Sequence, residues 1–345
     1  MSTLSALAPQ ATVFDDPVSP AASLFARELL AGLQSRPRSV SPKWFYDEAG
    51  SVLFERITDL PEYYPTRTEL ALLDRHAPAM AAWIGPGAEV VEFGAGASVK
   101  VRTLLQSLVS PQRYVPVDIS GEHLALAAEG LRRAHPGLAV LPVAADFTRD
   151  LHLPQAVGRR VGFFPGSSIG NFDPPQAQRL LRRMASWLQG GGLLIGVDLV
   201  KDPALLHAAY NDAQGVTAAF NLNLLARANR ELAADFQLAQ FAHSAFYNAP
   251  RSRIEMHLVS RVQQTVQLCG QAIEFAEGDS VHTESSCKYT VESFQRLAQA
   301  AGWTPRAVWV DAERWFSLHW LVPTGGGEAD STNPNPPTPL PGTGS

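Results

Sequence analysis

A strand-like run from Ala88 to Phe93 ends in Glu92-Phe93-Gly94-Ala95-Gly96, and a helix-like run from Ser98 to Leu108 follows it. Glycine at 94 and 96 lets the backbone turn tightly and approach a ligand, while the helix start beyond presents unpaired N–H groups. Strand, glycine turn and helix in that order form a cradle for a nucleotide-type ligand. A glycine turn after a strand is common in itself, and Asp118, after Tyr114-Val115-Pro116-Val117, would serve equally to cap a helix starting near Gly121. A third run, Ala139 to Ala145, leads into Asp146-Phe147. Three successive strand ends carrying Gly, Asp and Asp-Phe point to one crevice, because ligands of open α/β sheets sit at the carboxyl ends of the strands.

The third glycine position bears on which ligand. A dinucleotide fingerprint wants Gly or Ala where this chain has Val99, so that helix and strand close around a pyrophosphate. Val99 favours a cofactor without one, and S-adenosylmethionine fits. Its ribose hydroxyls need an acceptor such as Asp118, and Asp146 with Phe147 suits an adenine amine and ring face. Glu92 is tolerable beside a sulfonium and amino-acid tail, and Lys100 is within reach of the tail's carboxylate unless it is simply a solvated helix residue.

The pattern around the cradle alternates. Strands are expected at about 88–93, 114–119, 139–145, 161–168 and 192–199, with helices at about 98–108, 121–134 and 174–188. A βαβ series implies a largely parallel sheet. After Asp198 the series breaks into a long helical stretch, 203–229, and alternating segments at 239–247 and 253–268 joined across Asn248-Ala249-Pro250. It resumes with a helix at 291–301 and strands near 304–310 and 315–322. The fold class expected is α/β, a Rossmann-like methyltransferase sheet with a second, inserted α+β substrate-binding lobe. Residues 71–202 and 289–322 make the sheet domain, 203–288 the inserted lobe, and 16–70 its N-terminal part. The tails, 1–15 and 323–345, are small and polar and bury too little to offset ordering entropy.

Composition narrows the function classes. At 46% hydrophobic residues the 345-residue chain can bury one large core or two ordinary ones. A net charge of −5 gives no general attraction for nucleic acid or an anionic membrane, which favours a small-molecule substrate. Cys269 and Cys287, with no metal-ligand spacing, fit a reducing cytoplasm. No export signal is legible, and no apolar run approaches the roughly 18 residues a membrane span requires.

Beyond the cofactor, the fourth strand runs out through Pro165-Gly166-Ser167-Ser168-Ile169-Gly170-Asn171-Phe172-Asp173-Pro174-Pro175. The Asn171 amide can accept from a substrate amine and donate to its carboxylate, though an Asx turn before the helix at Pro174 would explain it as well. Asp173-Pro174-Pro175 resembles the signature of adenine methyltransferases, but Gln176 stands where a stacking aromatic is required. His282-Thr283-Glu284 with Cys287 lacks the Pro-Cys-x-x-Cys of a zinc deaminase, so no metal is expected. Aromatics at Trp44-Phe45-Tyr46 and Tyr63-Tyr64 are of a kind that more often builds a core.

Four segments together are more specific. Pro42 to Asp47, Leu60-Pro61-Glu62-Tyr63-Tyr64-Pro65-Thr66-Arg67-Thr68-Glu69, Pro165 to Phe172 and His282-Thr283-Glu284-Ser285-Ser286-Cys287-Lys288-Tyr289 resemble the histidine Nα-methyltransferases of ergothioneine biosynthesis, over roughly residues 20–322. The resemblance implies three methyl transfers from S-adenosylmethionine to the α-amine of L-histidine, giving hercynine. It implies cofactor contacts from Gly94, Lys100, Asp118, Asp146 and Phe147, to which the cradle adds Glu92 and Gly96. It further implies that Gly166, Asn171 and Tyr210 orient the amine and carboxylate, and that Tyr46, Met256 and one of Tyr63 and Tyr64, here taken as Tyr63, line the cavity. Glu284 and Ser286 would hold the imidazole, one accepting from its N–H and the other donating to its second nitrogen. Ala95 and Ala97 depart from the serines of many relatives, which removes a hydroxyl but not the turn. No general base is legible. Three rivals stand beside this reading: an Nα-methyltransferase of another amino acid such as tryptophan, a nicotinamide-dependent oxidoreductase, and a non-catalytic cofactor-binding module. Glu284 argues against the first, since an indole has no second ring nitrogen.

Overall fold

The structure is a computed structural model that describes residues 20–96 and 98–325. The expectations for residues 1–15, for Ala97 and for the tail beyond 325 lie outside the described residues, whereas Pro323 closes the last strand.

The chain opens with α1 (Pro20–Gln34), a short strand β1 (Arg38–Ser39), α2 (Glu48–Thr58) and α3 (Tyr64–Ile84). Asp47 starts α2 by accepting from the Gly50 N–H at 2.7 Å, satisfying one of the helix's orphan donors. Pro65 lies in the first turn of α3, where its missing N–H is no loss. This helix runs straight across the boundary drawn at residue 70.

The alternating series follows as β2 (Glu89–Phe93), α4 (Val99–Ser107), β3 (Arg113–Asp118), α5 (Gly121–Ala134), β4 (Ala139–Val140), β5 (Val143–Ala144), β6 (Arg160–Phe164), α6 (Pro174–Trp187) and β7 (Leu193–Asp198). The strand expected over 139–145 is two fragments, both parallel to β3. Pro142 lies between them and has no N–H to give the ladder, which interrupts it there. Asp173 and Gln176 form a reciprocal capping box at the start of α6, so Asp173-Pro174-Pro175-Gln176 is a helix start.

The inserted segment comprises α7 (Pro203–Tyr210), α8 (Val216–Leu232), β8 (Phe241–Asn248), β9 (Arg253–Ser260), β10 (Gln264–Leu268), β11 (Gln271–Phe275) and β12 (Ser280–Cys287). The single helix expected over 203–229 is broken after Tyr210. Asp212 turns the chain and accepts from the N–H groups of Val216 and Thr217, each at 2.8 Å, to start α8 afresh. The run expected as one strand over 253–268 is two, β9 and β10, and β10 pairs with β11 in a separate hairpin. The strand β12 was not expected. The chain ends in α9 (Val291–Ala300), β13 (Trp303–Val310) and β14 (Phe316–Pro323).

Two sheets organise these elements. The large one has the order β13-β14-β7-β6-β2-β3-β4, with β5 also on β3; it is parallel from β7 to β4, and β14 is antiparallel to β7. The small one has the order β1-β12-β9-β8. Apolar side chains cover both faces of the large sheet, as a largely parallel sheet requires. A third core unites the N-terminal helices with the inserted segment through Phe25, Trp44, Phe45, Phe220, Leu224 and Leu258. This third core has no counterpart in any single stretch of sequence, since it joins residues before β2 to residues after β7.

Candidate active site

The ends of β2, β3 and β5 build the first half of the site. Gly94 has φ +73°, a region that side chains rarely adopt, and its N–H donates to the Val117 carbonyl at 2.8 Å, pinning the turn to β3. Asp118 accepts from the N–H groups of Gly96 at 3.2 Å and Ser120 at 2.9 Å. A carboxylate has about four lone-pair sites, so it retains acceptor capacity for a diol. The Phe147 ring meets Phe93 and Phe164 edge-on, with centroids 6.2 and 5.7 Å apart, and would touch a Cβ at Gly94 at 3.8 Å. Gly94, Gly96, Asp118 and Phe147 thus leave a backbone-lined space with an acceptor on one side and a ring on the other, which fits an adenosyl group.

Three residues expected at the cofactor are more engaged than the sequence implied. Asp146 accepts from Thr148 N–H at 2.9 Å and from Lys43 Nζ at 3.0 Å; these bonds outweigh burial and hold its carboxyl below the ordinary range. Lys100 is paired with the fully buried Glu69 at 2.7 Å. Glu92 is 1% exposed beneath the glycine turn and accepts from the Tyr114 hydroxyl. Burial pushes its carboxyl up to about 8, against the opposing pull of the Tyr114 hydroxyl and Lys100.

The second half comes from the small sheet and the helices over it. A register shift in β12 between His282 and Glu284 re-aims the strand, and the Thr283 hydroxyl fixes it by donating to Asn221 Oδ1 at 2.8 Å. Glu284 is 8% exposed, and its carboxylate accepts no hydrogen bond among the described residues. Burial pushes it up to about 7 although Lys288 opposes the shift. Met256 faces Glu284 across the β9–β12 ladder and is buried in the core behind it. Tyr46, Tyr63 and Tyr210 all lie within electrostatic reach of Glu284, and Tyr46 also of Asp118, so the two halves adjoin. Burial holds all three phenols above their ordinary range, which keeps them neutral donors and acceptors.

Tyr63 and Tyr64 differ in how their hydroxyls are engaged. Tyr64 donates to Asp198 Oδ2 at 2.8 Å and accepts from Lys201 Nζ at 2.7 Å, so its hydroxyl is occupied. Tyr63 has no hydrogen-bond partner for its hydroxyl among the described residues and packs edge-on against Phe54. Gly166, with φ +78°, donates its N–H to both oxygens of Glu69 at 3.0 and 2.8 Å. A Cβ there would stand 3.2 Å from Lys100 Nζ, so Gly166 is where α3 and α4 converge on the β6 end. Asn171 ends a short 3-10 turn, Ser168–Asn171, packed on β12; the capping of α6 falls to Asp173, leaving the Asn171 amide without a partner among the described residues.

Sequence reasoning missed Glu69, Asp198 and Lys288. Lys288 Nζ donates to Asp198 Oδ2 and Ser286 Oγ, both at 2.7 Å, and to the Tyr210 hydroxyl at 3.3 Å. Asp198 is also paired with Lys201 at 2.5 Å. The only sequence signal was a lysine following the small polar run Ser285-Ser286-Cys287, in a segment where a charge has to be buried.

Residues 25–323 match the family described as "Histidine-specific methyltransferase, SAM-dependent". The chain belongs to that family. Among its relatives, the histidine N-alpha-methyltransferase of Mycolicibacterium smegmatis is 42% identical over 88% of this chain and 96% of its own length. That of Mycobacterium tuberculosis is 41% identical over 85% of this chain and 92% of its own. Ergothioneine biosynthesis protein 1 of Neurospora crassa is 32% identical over 83% of this chain, which matches 33% of that longer protein.

Proposed function

We propose that the protein transfers three methyl groups in succession from S-adenosylmethionine to the α-amine of L-histidine, forming hercynine for ergothioneine biosynthesis. The observation that carries this is Glu284: a nearly buried carboxylate with no donor among the described residues, two residues from a serine hydroxyl held by Lys288. An imidazole presents one N–H and one lone pair, so it completes both groups. The identity to named histidine N-alpha-methyltransferases supports the same substrate.

S-adenosylmethionine, when bound, supplies a methyl group activated on a sulfonium. The chain supplies placement. Glu284 and Ser286 hold the ring, while Asn171 and Tyr210 hold the carboxylate and amine, so that the amine lone pair is aligned for in-line attack at a near-attack distance of about 3–3.5 Å. Tyr46 and Tyr63, neutral and aromatic, line the amine's surroundings and suit an ammonium that gains methyl groups. Gly94, Gly96, Asp118, Asp146 and Phe147 hold the adenosyl part, with Lys100 near its carboxylate tail and Glu92 below the turn. The work is done in a reducing cytoplasm, consistent with two free cysteines, Cys269 and Cys287. No described helix is long and apolar enough to cross a membrane.

Incubation with L-histidine and S-adenosylmethionine, read by mass, is the test. Addition of three methyl groups is expected. Turnover of tryptophan with none of histidine would move the protein to a different substrate, and NADH binding in place of S-adenosylmethionine would move it to a different class.

A further inference from the structure

Lys288 is 3% exposed, and its three donors are all spoken for: Asp198 Oδ2, Ser286 Oγ and the Tyr210 hydroxyl. An ammonium cannot accept a hydrogen bond, so at both hydroxyls the oxygen is the acceptor and the hydrogen turns away from Nζ. Ser286 and Tyr210 also adjoin each other, and that contact can use one of the two hydrogens. At least one is left over. Neither hydroxyl donates to any other described residue, so the remaining hydrogen is directed at whatever occupies the space beside Glu284.

We propose that Lys288 is a positioning residue that fixes the Ser286–Tyr210 pair as a donor, so that the site selects a ring carrying one N–H for Glu284 and one acceptor nitrogen for that pair. This rests on the histidine reading of the site. The wall then has fixed polarity: Glu284 accepts and the hydroxyl pair donates, which sets both ring orientation and tautomer. Without the ammonium the two hydroxyls can reverse, and the pair can accept as readily as donate. Removing Lys288 does not strand a buried anion, because Lys201 remains on Asp198 Oδ1.

The experiment compares L-histidine with its pyrrole analogue, in which the acceptor ring nitrogen is C–H, by kcat/KM in the full-length wild type and in Lys288→Met. The wild type should favour histidine at least tenfold, and Lys288→Met should narrow that ratio several-fold while the Kd for S-adenosylmethionine stays within twofold. Lys288→Arg, which keeps a donor-only cation, should restore most of the ratio. In a Ser286→Ala background Lys288→Met should narrow it little further. A general loss of kcat in Lys288→Met with the wild-type ratio intact would make Lys288 a scaffold and overturn the proposal. If Lys288→Met loses its thermal transition, Lys288→Gln decides on the same ratio, since its amide can accept as well as donate; an unchanged ratio there also overturns it. A wild-type enzyme that methylates both rings equally would overturn the histidine reading and this proposal together, whereas discrimination retained in every Lys288 variant overturns the proposal alone.

Discussion

The two halves of the site are made of different material. The cofactor half is mostly backbone: a glycine turn, three strand ends and a carboxylate held by two N–H groups, a geometry that a twisted parallel sheet produces wherever its strands end. The proposed substrate half is side chains gathered from several elements: Glu284 on β12 of the small sheet, without a donor among the described residues, beside a buried charge network of Lys288 just past β12, Asp198 at the end of β7, Lys201 and Tyr64 of α3. A backbone site tolerates sequence change as long as φ is met. A site of buried charges depends on each member, because an unpaired charge in a low dielectric is expensive. On this reading the common cofactor is recognised mainly by backbone at strand ends of the large sheet, and the particular substrate by side chains drawn from both sheets and the N-terminal helices.

That separation can be broken by single substitutions. Glu284→Ala removes a charged acceptor that the cofactor half never touches. It should lower kcat/KM for histidine by about ten- to a hundredfold, since a buried hydrogen bond to a charged group is worth roughly 1.5–3 kcal/mol. S-adenosylmethionine affinity, measured by titration calorimetry, should hardly change. A comparable loss in cofactor affinity would mean the halves are not independent.

Asp118→Ala is the converse. It removes one charge-assisted contact in a partly exposed site, and cofactor binding should weaken by about 1.5–3 kcal/mol, toward the lower end because water can replace part of it. Folding should survive, since Gly94 stays pinned by the Val117 carbonyl. At saturating cofactor the KM for histidine should hold. Unchanged cofactor affinity would remove Asp118 from the site.

The same division explains what the sequence made legible. The glycine turn, Asp118 and Phe147 follow from local rules, so strand and helix positions around them are close to those observed, apart from the strand that Pro142 divides. The break at Asp212 and the strand β12 depend on tertiary partners and were not visible. Glu284 and Ser286 came from resemblance to a family and not from spacing, and Glu69, Asp198 and Lys288 were missed altogether. Lys288 meets Asp198 across 90 residues, Glu69 meets Gly166 across 97, and Tyr64 meets Asp198 across 134. No periodicity encodes such pairs. They are fixed only when the insertion and the N-terminal helices close on the large sheet.

A third test uses proton linkage and reads stability in place of binding. Burial raises Glu284 from an ordinary carboxyl to about 7. The folded, ligand-free protein therefore holds this proton more tightly than the unfolded chain. Stability from that proton is fully present below the unfolded value near 4.5 and is lost as pH rises through about 7. Glu284→Gln keeps the shape without the ionisation. At pH 8 it should be more stable than the wild type by about 3 kcal/mol, a few degrees in Tm, and at pH 4 the two should coincide. Equal Tm values at pH 8 would show that Glu284 is solvated in the empty site and poorly suited to select a ring. The gain should come with loss of histidine turnover, which is the sense in which the substrate half trades stability for recognition.

The smallest effect concerns the amine, at the seam between the halves. If Glu284 and Ser286 anchor the ring while Asn171 and Tyr210 anchor the carboxylate end, a partly methylated amine can rotate its remaining lone pair toward each fresh cofactor without releasing the substrate's other contacts. Monomethyl- and dimethylhistidine should therefore both be substrates. Tyr46 and Tyr63 supply aromatic surface there, so each added methyl should strengthen binding by up to about 0.8 kcal/mol, roughly fourfold, and lower the cost of stripping water from the amine. Trimethylhistidine has no lone pair and should only inhibit. Titration of the methylated series, with the demethylated cofactor present to block turnover, should show affinity rising from histidine to dimethylhistidine. Affinity falling along the series would mean that the tyrosines crowd the amine. A time course halting at monomethylhistidine under excess cofactor, with the demethylated product removed, would show that rotation at the seam is blocked and that a different amino acid is the natural occupant.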